Sequence, residues 1–196
     1  MKRVIIVHGW EGLATDDWYR WLAGELEERG IETIIPQMPE TDTPHIATWV
    51  PALAQAVGEP DKDTYLMGHS IGCQTIARYL ETLGEDKSVG GAVFVAGFFK
   101  RLTGFENEGA EVADIVNEWL TTPLDLAKVR SHLPRSVAIF SDDDPYVPMD
   151  NMDDFRDALG SEIVVLQGKA HMTPSGNPPT TELPEARDAI LRMING

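Results

Sequence analysis

Cysteine is nearly missing from this chain of 196 residues; Cys73 stands alone. A single thiol cannot close an internal disulfide, and there is no CxxC pair to hold a metal. It follows a glycine on a face expected to be buried, so it reads as a packed core thiol. Long apolar runs are missing as well. No stretch of 18 apolar residues occurs, which excludes a membrane-spanning helix. The chain opens Met1-Lys2-Arg3 and goes straight into Val4-Ile5-Ile6-Val7. That run is too short for a signal-peptide core and suits a strand, so a reducing, cytoplasmic location is expected. Positive charge is scarce: 16 basic against 32 acidic side chains, a net charge of −16. Nucleic acid and anionic membrane both demand clustered Lys and Arg, so neither is an expected partner. The acids are spread along the chain and not gathered in a tail, as in a well-solvated surface or one adapted to high salt. Internal repeats and low-complexity segments are also absent.

What is present suits one soluble domain over residues 1–196, with 42% hydrophobic and 24% charged residues. Short apolar runs alternate with amphipathic stretches, which predicts an α/β fold of parallel strands and crossover helices. Strands are expected near 3–7, 31–35, 63–67, 91–96, 136–140 and 162–166. Helices are expected near 17–29, 45–57, 71–83, 149–159 and 182–194. Trp18, Trp21, Leu22 and Leu26 share a face of the first helix, and Gly30 stops it. Pro51 predicts a kink or late start in the second. Residues 97–134 break the rhythm, with Phe98-Phe99, a Gly- and Glu-rich stretch and a helical pattern around 111–132. They predict either a small lid or an extended crossover.

Chemistry-bearing residues follow the strand ends, where parallel sheets bind ligands. The stretch YLMGHSIGC, residues 65–73, sets Ser70 between Gly68 and Gly72. This is the Gly-x-Ser-x-Gly spacing of a nucleophile elbow, weak evidence by itself. His8-Gly9-Trp10 follows the first strand. Asp142-Asp143-Asp144-Pro145-Tyr146-Val147-Pro148 follows the fifth, and Gly168-Lys169-Ala170-His171-Met172 the sixth. A serine, an aspartate and a histidine thus fall on three carboxyl-end loops, in the chain order of the α/β-hydrolase triad. A serine hydroxyl needs a base to take its proton, and His171 is the candidate. An acid must fix the imidazole tautomer. Asp144 is the candidate, with Asp142 and Asp143 also in reach by sequence. Backbone N–H groups of Ile71 and Trp10 are the candidate oxyanion donors. Trp10, Phe98, Phe99, Tyr146 and Met172 are candidates for a modest apolar pocket.

Each residue has a plainer reading. Ser70 alone would serve as a turn residue and His171 as a loop histidine. The three aspartates suit a divalent cation by charge, but a solvated acidic turn accounts for them more simply. His8 is expected to brace the oxyanion loop and His69 to be structural. His45 and His132 lie on predicted helices without a role. Trp21 and Trp49 are expected in the core. No cofactor or metal is implied.

The stretches HGWEGLATDDWYRWLAGELEERGIETIIPQMP, MGHSIGC, SDDDPYVP and GKAHMTPSG together resemble the small serine hydrolases of the retinoblastoma-binding protein nine type. The resemblance is strongest before residue 83 and weakest over 97–134. It implies a three-layer α/β/α hydrolase fold with about six mainly parallel strands in the order 2-1-3-4-5-6 and no separate cap domain. It also implies Ser70, Asp144 and His171 as the triad, Asp144 because Pro-x-Val-Pro follows it. Ala170 stands where that family tends to carry glycine. The chain has no Leu-x-Cys-x-Glu motif, so a retinoblastoma interaction is not implied. The expected activity is hydrolysis of small acyl esters, thioesters or activated amides through an acyl-enzyme. The contrasting expectation is a non-catalytic binding or scaffold protein on the same fold.

Overall fold

The structure, a computed structural model, describes the whole chain except the side chain of Asp17. Its elements run β1 (Arg3–Val7), α1 (Asp17–Glu27), β2 (Glu32–Ile34), α2 (Ile46–Val57), β3 (Thr64–His69), α3 (Ile71–Glu81), β4 (Gly91–Val95), α4 (Ala110–Thr121), α5 (Leu126–Ser131), β5 (Ser136–Ser141), β6 (Glu162–Leu166) and α6 (Pro184–Asn195). All six strands are parallel, in the order β2-β1-β3-β4-β5-β6.

The period of two along each strand builds two cores. Ile5, Val7, Leu66, Ala92, Phe94, Ala138 and Phe140 face one side and meet α2, α3 and α5. Val4, Ile6, Tyr65, Met67, Val93, Val95, Val137 and Ile139 face the other and meet Trp18, Leu22 and Leu26 of α1 and Ala186, Ala189 and Ile190 of α6. Strands apolar on both faces are what a sheet covered by helices on both sides requires. Cys73 is fully buried in the first core, as are Trp49 and its neighbours, whereas Trp21 is partly buried with the Arg187 guanidinium 5.5 Å over its ring. Among the described residues no helix is long and apolar enough to cross a membrane.

Four expectations need correction. The third strand runs on through Gly68 and His69, because His69 still pairs with Val95 of β4. Of the two effects expected from Pro51, the late start does not occur: α2 begins at Ile46. The helical pattern around 111–132 is two helices. Thr122 turns extended ahead of Pro123, which cannot donate, and the Asp125 carboxylate caps α5 through Ala127 and Lys128 N–H. The helix expected over 149–159 is present but is not a regular α-helix. A 3-10 turn at Met149–Asn151 leads into a wide π turn at Asp154–Ala158, which drops Phe155 among Phe94, Phe99 and Phe140.

α4 is fastened at its carboxyl end. Buried Arg78 of α3 donates to the carbonyls of Trp119, Thr122 and Pro123, and Gln74 donates to Trp119 as well. The Trp119 carbonyl is one of the orphan acceptors that every helix end leaves, and Thr122 and Pro123 follow at the helix exit. From the other side, Glu118 accepts from Ile46 N–H at the start of α2 and from His45.

Candidate active site

β3 delivers Ser70 to the centre of the sheet's carboxyl edge. The turn into α3 is sharp enough that Ser70 takes φ 52° and ψ −120°, a conformation that is costly outside glycine. Its N–H is held by the Val95 carbonyl at 2.8 Å, and its side chain does not cap the helix it precedes. The flanking glycines are needed for approach, not for φ. A Cβ at Gly68 would come within 2.7 Å of Cys73 N, and one at Gly72 within 2.8 Å of the His8 carbonyl oxygen. Only backbone fits where β1, β3 and α3 converge.

β1 and β3 run in register, Val7 opposite Gly68. Beyond that pair both segments leave strand geometry, and Trp10 and Ile71 line the same cleft. Neither of these N–H groups has an intramolecular acceptor among the described residues. His8 explains how Trp10 is aimed. Its Nε2 accepts from Met38 N–H at 3.0 Å, so Nδ1 carries the proton and donates to the Gly9 carbonyl at 2.9 Å. Gly12 N–H reaches the same oxygen. In a trans peptide the C=O and the next N–H point opposite ways, so tying the Gly9 oxygen inward turns Trp10 N–H outward to the cleft. Burial, outweighing the Gly9 bond, pushes the His8 pKa down, which keeps that donor pattern in place.

The three aspartates part company. Asp142 accepts from Gly168 N–H, and Asp143 from the Ser141 hydroxyl and Ala170 N–H. The Ser141 hydroxyl also receives Lys169 N–H, so these two loops are stitched along their length. Asp144 alone reaches the histidine: its Oδ2 accepts from His171 Nδ1 at 2.8 Å, and its Oδ1 from Tyr146 and Val147 N–H. The two side chains are 2% and 11% exposed. Because the carboxylate can only accept, Nδ1 holds the proton, and Nε2 of the neutral ring is left bare.

Ser70, His171, Trp10 and Ile71 line one cleft of 740 Å3, with Phe98 and Tyr146. Two expected pocket residues do not. Phe99 stacks on Phe155 with 4.5 Å between ring centroids, and Met172 is fully buried against the α1 face of the sheet. Sequence reasoning missed the opposite wall, which comes from 97–134: Leu102, Phe105, Val112, Val116 and Trp119. The spacing 112, 116, 119 is a helical stripe that sets three of these on one face without saying what the face meets. Phe105 lies in irregular chain and stacks on Trp10 and against Tyr146 (centroids 5.7 and 5.3 Å). His45 and His132 stay outside the cleft, His132 donating to the Lys87 carbonyl.

The sequence profile of the serine hydrolase family matches residues 4–181. The chain belongs to that family. It is 29% identical over 194 residues to YdeN of Bacillus subtilis (strain 168), covering 99% of this chain and 97% of YdeN. The crystal structure of the YdeN gene product superposes with a TM-score of 0.89 over the full length of both chains, at 26% identity. Serine hydrolase RBBP9 of Rattus norvegicus is 27% identical over 172 residues, 86% of each chain. Est1E of Butyrivibrio proteoclasticus shares the fold alone, with a TM-score of 0.72 at 14% identity over all of this chain and 90% of that one. The expected resemblance and the expected α/β-hydrolase fold thus both hold.

Proposed function

We propose that this serine hydrolase cleaves small, uncharged or cationic acyl esters, with thioesters and activated amides as related substrates, through a Ser70-His171-Asp144 triad. The observation that carries the reading is the Asp144–His171 bond in the cleft that Ser70 enters from its strained turn. His171 Nε2 takes the Ser70 proton as Oγ bonds to the acyl carbon. Trp10 and Ile71 N–H receive the oxyanion; one such donor is typically worth about 3 kcal/mol of barrier. The imidazolium, held by Asp144, then gives its proton to the leaving oxygen, and the acyl-enzyme remains. Water attacks next, His171 again taking the proton and returning it to Ser70 as the acid leaves. The chemistry calls on no cofactor.

Substrate character follows from the walls. Phe98, Leu102, Val112, Val116 and Trp119 favour an apolar group. Glu11, Asp16 and Glu108 are the charged lining residues, and no described lining residue is Lys or Arg. Anionic acyl carriers would meet that field unfavourably. In this reading residues 1–196 are one domain, and 97–134 is a crossover that doubles as a cover. A buried, free Cys73 agrees with a cytoplasmic location.

Intact mass after fluorophosphonate treatment tests the triad. One adduct is expected on wild type and none on Ser70→Ala, which should keep its fold and lose turnover of p-nitrophenyl esters. Turnover persisting in Ser70→Ala, or no adduct on folded wild type, would reject the reading. The second result would favour a binding protein.

A further inference from the structure

We propose that His69 and Tyr19 are positioning residues for this reaction, through a buried chain of hydrogen bonds that ties the oxyanion loop, the elbow and the base loop together. The proposal rests on the triad reading above. Gly9 N–H donates to Tyr19 Oη at 3.3 Å. Tyr19 Oη lies 2.9 Å from His69 Nδ1, and His69 Nε2 lies 2.8 Å from the His171 carbonyl oxygen. A carbonyl only accepts, so Nε2 carries the His69 proton. Nδ1 of the neutral ring must then accept, and the Tyr19 hydroxyl must donate to it. The hydroxyl oxygen is left to receive Gly9 N–H. Every proton in the chain has one place.

Both side chains are buried; each residue is 2% exposed. Burial, with the nearby His171, pushes His69 down to about 3, and burial pushes Tyr19 up. The pair therefore stays neutral through the working range, and the direction of the chain does not reverse. The geometry around it is tight. A Cβ at Gly9 would come 3.0 Å from His69 Nδ1 and 3.5 Å from Ser70 Cβ.

The far end of the chain explains why a brace is needed. His171 sits between two residues in the left-handed region, Ala170 at φ 46° and Met172 at φ 53°. Neither neighbour is glycine, so this path holds only if its surroundings impose it. Two side chains do so from below: His69 grips the His171 carbonyl, and Trp18 Nε1 donates to the Met172 carbonyl at 3.0 Å. Asp144 fixes the tilt of the His171 ring, whereas His69 fixes the main chain from which the ring hangs. His69 is also covalently next to Ser70. It therefore references the base directly to the nucleophile, the distance on which proton transfer depends.

The test separates donor geometry from mere bulk. In His69→Gln the amide can reach the Nε2 position and keep a donor for His171. In His69→Asn the amide reaches only the Nδ1 position, keeping Tyr19 and losing His171. Tyr19→Phe leaves His69 Nδ1 and the Gly9 N–H without partners, so the ring and the oxyanion loop lose their shared anchor. Steady-state kinetics on p-nitrophenyl acetate and butyrate should show kcat lowered about 10- to 100-fold in His69→Asn and Tyr19→Phe, with KM within about twofold, as a misplaced base requires. His69→Gln should recover most of the loss. Urea midpoints of each variant report whether it is folded, and if His69→Asn is not, Tyr19→Phe carries the test. Equal kcat in the Gln and Asn variants, a change in KM alone, or a loss matching the unfolded fraction would overturn the proposal. Ser70→Ala in the same assay keeps the questions apart. Its retained activity rejects the triad, whereas its inactivity beside a fully active Tyr19→Phe and His69→Asn rejects only the positioning role.

Discussion

A methyl group at position 72 has nowhere to go. In an open helix Gly→Ala would stabilise by about 1 kcal/mol. Here the added carbon would overlap the Val7 and His8 carbonyl oxygens at the end of β1. Gly72→Ala should therefore cost about 1–3 kcal/mol, as overpacking does, read as a lower urea midpoint. A raised midpoint would mean that β1 can yield. At this scale the sequence was informative where spacing defines geometry, as for Ser70 between its glycines. It was silent where side-chain direction decides. Asp142, Asp143 and Asp144 are equivalent by position, and only the family resemblance singles out Asp144 until each carboxylate is seen to meet different donors. Met172 follows His171 directly, yet its backbone at φ 53° goes with a side chain buried in the core beneath the cleft.

Elements were legible where an apolar period continued and illegible where a tertiary contact overrode it. The strands read well because both their faces are buried. The helix expected over 149–159 is present but irregular, because two demands there compete with a regular α-helix. The Asn151 side chain is engaged with the backbone of 99–101, accepting from Phe99 and Lys100 N–H and donating to the Arg101 carbonyl, and Phe155 must reach the core. The segment 97–134 reads equally as lid or crossover, since nothing in its sequence says what its apolar stripe faces. The stripe lines the cleft. Val116, half-buried in the middle of α4, is the place to test that wall. Val116→Trp should lower kcat/KM for p-nitrophenyl octanoate at least about tenfold more than for the acetate, the scale on which a pocket reads added methylenes. Equal losses on both esters would put the acyl group elsewhere.

The whole molecule carries its buried imidazoles as an acid liability. An unfolded histidine takes up a proton near 6.5, whereas folded His69 holds off to about 3, and folded His8 is also lowered. Between those values the unfolded chain binds more protons, so stability is complete above about pH 6.5 and drains as pH falls towards 3. His69 contributes a slope of about 1.4 kcal/mol per pH unit, and His8 acts in the same direction. Urea unfolding at pH 7, 6 and 5 should show that decline, and a flat profile would contradict burial of neutral rings. The order of the strands was legible only through family resemblance, because parallel connections alone leave the neighbours of β1 undetermined. One feature of that architecture sets how the cleft would admit its substrate. Arg78 locks the carboxyl end of α4 to the elbow helix, while the loop around Phe105 is held by ring contacts and by Thr103 bonded to the Pro145 and Tyr146 carbonyls. The wall is therefore fastened by charged hydrogen bonds on one side and by ring contacts on the other. Acetyl-sized groups would pass beneath these rings, but turnover of a bulky chain would be timed by how often Phe105 lets go of Trp10 and Tyr146.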